Sequence, residues 1–169
     1  MTWLQAMNPN APINSEADAL KAGRASAISI FIGVIVGLVS AAWSFMQADE
    51  LAAQAAQGAD PATAEVMAAS VQAGLWMGVG LVVIQLIFAV VQWRDPKKFI
   101  AILFIILIIL GLLSTLATPM LAQSMPNMPA TPLWQVALSV VIMVIQLVLH
   151  IAGLRGIKRL DDMQMAASR

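Results

Sequence analysis

Residues 94–121 read RDPKKFIAILFIILIILGLLSTLATPML. Three cations end abruptly at Lys98, and the run Phe99–Leu121 then holds no Asp, Glu, Lys or Arg. A helix needs about 20 apolar residues to cross the hydrocarbon core of a bilayer. The stretch FIAILFIILIIL at 99–110 is bulky on all sides, so it fits neither the single apolar stripe of a soluble helix nor the alternation of a half-buried strand. It reads as a membrane-spanning helix, with its inner half the part of the chain most exposed to lipid.

Working outward, three more runs have the same character: Ala25–Met46, Val71–Trp93 and Leu133–Leu154. The nine basic residues fall beside them in three groups: Lys21 and Arg24; Arg94, Lys97 and Lys98; Arg155, Lys158, Arg159 and Arg169. The connectors 47–70 and 119–132 contain none. Because Lys and Arg are retained on the cytoplasmic side during insertion, this alternation predicts four spans with both termini inside. The expected location is a bacterial-type cytoplasmic (inner) membrane. The first span begins too far along and is too long for a cleaved leader, and reads as an anchor.

Composition agrees. The chain has 169 residues, 60% of them hydrophobic and 11% charged, with a mean hydropathy of +0.86. So much apolar surface exceeds what one small soluble core can bury. The zero net charge averages two faces. Five acidic residues accompany the nine basic ones inside, whereas Asp49, Glu50, Asp60 and Glu65 lie outside. The inner face should therefore attract anionic lipid, and cations this dispersed do not make a nucleic-acid surface. With no Cys, disulfides and thiolate chemistry are excluded.

Local signals place the helix ends. Residues 1–14 are rich in Asn and Pro and read as an irregular cytoplasmic tail, followed by a single membrane domain over 15–169. Ser15 with Asp18 resembles a capping box and should start helix one ahead of the membrane. Gly58 should stop its outward extension. Asp60-Pro61 and Thr131-Pro132 have the N-cap and first-turn chemistry that starts helices two and four.

Residues 82–98 (VVIQLIFAVVQWRDPKK) align without a gap on 143–159 (MVIQLVLHIAGLRGIKR), matching Gln85 with Gln146 and Arg94 with Arg155. A weaker match pairs 37–46 with 111–120. The fold class expected is thus an all-α integral membrane protein whose four transmembrane helices form two tandem, parallel-repeat hairpins. On helical spacing, Gly74, Gly78, Gln85, Ala89 and Gln92 share a face, as do Gln135, Ser139, Gln146, His150 and Gly153. In span one, Ala25, Ser29, Gly33, Gly37 and Ala41 recur every fourth residue. Small or polar stripes in lipid face protein or water.

Each candidate has two readings. Ser29, Gly33, Gly37, Ala41, Gly74 and Gly78 are helix-packing positions. The polar stripe of Gln85, Gln92, Gln135, Ser139, Gln146 and His150 either makes interhelical hydrogen bonds, worth about 0.6–2 kcal/mol each in membranes, or lines a solute pathway. His150 reads as a hydrogen-bonded interface residue, with a pH switch or metal ligand as the sharper alternative. Met120, Met125 and Met128 are weak Cu(I) candidates and otherwise fill a loop. No carboxylate lies within a span, and G-x-S-x-G, P-loop and H-E-x-x-H are absent. The expectation is a non-catalytic, cofactor-free accessory, assembly or oligomerising subunit. Its partners would be the lipid bilayer and either itself or another membrane protein. A small transporter or channel is the alternative.

Overall fold

The structure is a computed structural model that describes residues 1–124 and 132–168, with backbone alone for 119–124. Of these residues 86% are helical, and none lies in a strand. The helices are α1 (Trp3–Met7), α2 (Glu16–Gly23), α3 (Ala25–Met46), α4 (Ala48–Ala55), α5 (Pro61–Arg94), α6 (Lys98–Ser124) and α7 (Leu133–Ala167). Among the described residues, four stretches are long and apolar enough to cross a membrane: Glu16–Met46, Pro61–Arg94, Lys98–Thr118 and Leu133–Ala167.

Helix starts follow side-chain chemistry. The Ser15 hydroxyl accepts the Asp18 amide at 3.2 Å and opens α2. Arg24 separates α2 from α3, yet its own N–H bonds Leu20 O and its carbonyl accepts from Ile28, so the hydrogen-bond ladder passes through it. Asp60 opens α5 by accepting the Ala62 and Thr63 amides and the Thr63 hydroxyl, the last at 2.6 Å. Gly58, at φ +79°, supplies the left-handed turn between α4 and α5.

Two starts differ from expectation. The 1–14 segment is not wholly irregular. Thr2 and Gln5 form a reciprocal capping box that starts α1, a pairing the Asn and Pro content conceals. At the other end Pro132 is extended (ψ 136°) and stands just outside α7, which begins at Leu133. Thr131 lies outside the described residues. Helix α7 also continues to Ala167, well past the apolar run that ends at Leu154.

The chain divides into two compact units, Met1–Ile30 with Phe88–Arg169, and Phe31–Ile87. In the first, α7 packs on α2 and α6, and α1 lies against α2 and α7. Its core combines small residues, Ala19, Ala22, Ala25, Ala27, Ala101 and Ala152, each at most 2% exposed, with buried Ile30, Phe104, Leu149 and Ile157. In the second, α3 meets α5 where Gly37 faces Val82, and Phe45 sets its edge to Trp76 at 5.3 Å. Large apolar side chains stay outward on all four long helices, among them Leu38, Ile87, Leu113 and Val141. Soluble proteins rarely leave such continuous apolar surface uncovered; in a bilayer, lipid covers it.

The run at 99–110 is not the most lipid-exposed part of the chain, since three of its residues are buried. The most apolar window of α6 is 17% buried, against 6% for that of α5. Ile100, Ala101 and Phe104 share an inward face that uniform bulk hides in the sequence.

Candidate functional site

Within the first unit the closest helix crossing joins Gly23 and Ser26 to Gly153 and Gly156. A Cβ built on Gly156 would overlap the backbone nitrogen of Gly23, and one built on Gly153 would stand 2.6 Å from Ser26 Cβ. Both glycines of α7 therefore let backbone meet backbone. Pro96 closes on Gly23 from the α5–α6 turn, 3.2 Å from where a Cβ would be.

Polar groups line this crossing and are bonded across it. Ser29 Oγ donates to the Gln146 carbonyl, and Gln146 Nε2 donates back to the Ser29 carbonyl, both at 3.0 Å. Gln92, fully buried, donates from Nε2 to Ser26 Oγ at 2.6 Å, while its Oε1 accepts the Lys97 amide at 2.9 Å. One side chain thus braces the 95–97 turn and ties it to helix one. In a medium without water, an amide unbonded at these depths would carry its full desolvation cost.

His150 is fully buried, and its ring stacks on Phe104 at 5.8 Å. Neither ring nitrogen has a hydrogen-bond partner among the described residues, contrary to the expectation of a hydrogen-bonded interface histidine. Phe88 meets the same Phe104 edge-on at 5.8 Å.

The remaining stripe residues grade from open to buried toward the C-terminal ends of the apolar runs of α5 and α7. Along α5, Gly74 is exposed, Gly78 and Gln85 are half-buried, and Ala89 and Gln92 are buried. Along α7, Gln135 is exposed, Ser139 and Gln146 are half-buried, and His150 and Gly153 are buried. In the second unit Gly37 packs so tightly that an added Cβ would stand 2.7 Å from Val82 Cγ2. Gly33 and Ala41 are half-buried. By contrast, a Cβ built on Gly74 or Gly78 meets nothing within 4 Å. Met125 and Met128 lie outside the described residues, as does the Met120 side chain.

Sequence reasoning missed Gly23, Ser26 and Gly156. The signal for them is small residues three apart, Gly23-x-x-Ser26-x-x-Ser29 and Gly153-x-x-Gly156, rather than four apart.

The end of the first unit that carries the basic residues is held by charge. The Met1 ammonium pairs with Asp18 at 2.9 Å, and Lys21 Nζ donates to the Met1 carbonyl. Trp3 stacks on Trp93 at 5.7 Å, and Arg24 donates to the Trp93 carbonyl at 3.0 Å. Arg155 donates to the carbonyls of Pro9 and Ala11, strapping the N-terminal segment to α7. Among the described residues, no group of three or more His, Cys, Asp or Glu comes together as a metal site.

Comparison with protein-family models, curated proteins and solved structures finds no match for this chain. Its class is defined by the fold. The four long apolar helices are those of a multi-pass helical membrane protein. Its best-formed internal feature is a glycine-serine-glutamine seam between the first and last of those helices.

Proposed function

We propose that the chain is a non-catalytic subunit of a bacterial-type cytoplasmic membrane, with both termini inside, that acts through helix contacts with itself or another membrane protein. The observation that carries this reading is the contrast among its glycines. Gly37, Gly153 and Gly156 are already filled by neighbours, whereas Gly74 and Gly78, one turn apart on α5, meet nothing within 4 Å. Small residues at such spacing let a second helix approach closely, and van der Waals contact then holds it. Tandem hairpin duplication fits the matching burial gradients of the α5 and α7 stripes.

The polar stripe serves packing in this reading, since Gln92 and Gln146 already bond to helix one. The native chain has no Cys, so single-cysteine variants are clean probes. Oxidation of Gly74→Cys or Gly78→Cys in native membranes should yield a crosslinked species, and Val83→Cys, on the opposite face of α5, should not. If neither glycine position crosslinks while Gln85→Cys and Gln146→Cys react with a water-soluble thiol reagent from one side, a solute pathway replaces the packing reading.

A further inference from the structure

Beside α7, just past the apolar run that ends at Leu154, lies a groove of about 420 Å³. Residues 12–14 line one side, and Arg155, Lys158, Arg159 and Asp162 line the other. Spacings of three and four put those four side chains on one face of the helix. Three cations thus meet a single carboxylate. Two other cations near this end are neutralised locally: Lys97 pairs with Asp95 and Lys98 with Asp161, each at 2.5 Å. Lys158 and Arg159 have no ion-pair partner among the described residues.

Depth narrows the ligand. At 1.5 Å per residue, Lys158 and Arg159 stand about 6–8 Å beyond Leu154 along the axis. The headgroup layer of each leaflet is about 5–8 Å thick. The N-terminal wall of the groove is fixed, because Arg155 holds Pro9 and Ala11 by their carbonyls.

We propose that this groove binds a phosphate group, carried by an anionic lipid headgroup, through Lys158 and Arg159. The Arg fork suits two phosphate oxygens and the Lys ammonium adds a point charge. Asp162 offsets one cation, which favours a phosphodiester over a polyanion. This assignment does not rest on the packing reading; it needs only that α7 crosses the membrane.

The test is a titration of the full chain in non-ionic detergent with phosphatidylglycerol, phosphatidylcholine and inorganic phosphate, read by native mass spectrometry. Phosphatidylglycerol should be retained over phosphatidylcholine. The double variant Lys158→Gln with Arg159→Gln should bind it about 25-fold more weakly, at about five-fold per cation. The charge-matched variant Lys97→Gln with Lys98→Gln should change binding less than about five-fold. Phosphatidylglycerol retention without inorganic phosphate binding assigns the lipid source. Inorganic phosphate binding with the same dependence on Lys158 and Arg159 supports the phosphate site but moves the source to solution. Equal losses in both double variants, or no loss in the first, overturn the proposal. All four side chains are exposed, and matching thermal melts exclude misfolding.

Discussion

Gly156 and Gly74 are the same residue in helices of the same protein, and they should respond oppositely to one methyl group. Alanine favours a helix over glycine by about 0.5–1 kcal/mol at any open position. At Gly74 nothing within the chain opposes that gain, so Gly74→Ala should leave or raise the thermal midpoint of the detergent-solubilised monomer. At Gly156 the new carbon strikes Gly23 and Ala22, whose backbone atoms cannot rotate away. Overpacking of this kind costs about 1–3 kcal/mol, so Gly156→Ala should lower the midpoint measured by circular dichroism. A Gly156→Ala protein at least as stable as the native one would refute the close crossing. The sequence identified small faces but not their partners, because Gly23 and Gly156 are far apart in the chain and periodicity describes one helix at a time. Gln92 shows the same limit. Its place on a stripe was legible, whereas its bond to Ser26, 66 residues away, and its grip on Lys97 require the fold.

At the scale of the element, helix starts were the most legible part of the structure, because a cap is chemistry between residues two or three apart. Ser15 and Asp60 cap as their neighbours imply, and the Thr2–Gln5 box escaped notice only because Asn and Pro surround it. Asp60 makes a pH prediction. The Thr63 hydroxyl, with the Thr63 and Ala62 amides, holds its carboxyl below the ordinary value of 3.8. A carboxyl depressed in the folded state contributes stability that is complete above its unfolded pKa and is lost as pH falls through the lower folded value. Amide exchange at Ala62 and Thr63 should therefore be as slow at pH 5 as at pH 7, after correction for intrinsic rates, and should quicken below about pH 4. In Asp60→Asn the acid-dependent step should vanish. If it persists, another group governs the start of α5. The exposure of α6 was misread for the converse reason, since a helix that is bulky all round carries no mark of which side meets protein.

For the molecule as a whole, the four long helices follow directly from uninterrupted apolar runs of membrane length, while their sidedness rests on where the cations lie. That sidedness is open to a direct measurement. With an impermeant thiol reagent applied outside intact cells, Gln57→Cys should be labelled, while Glu16→Cys and Gln164→Cys should react only after lysis. Labelling of either terminal position in intact cells would reverse the assigned orientation. The seam between Ser29 and Gln146 has a bearing on biosynthesis. Its two halves are 117 residues apart, which a ribosome adding 5–20 residues per second takes roughly 6–23 s to traverse. Until Gln146 has been made, Ser29 has no final partner. The order of synthesis thus leaves one half of the seam to wait for the other, which the finished contacts do not reveal.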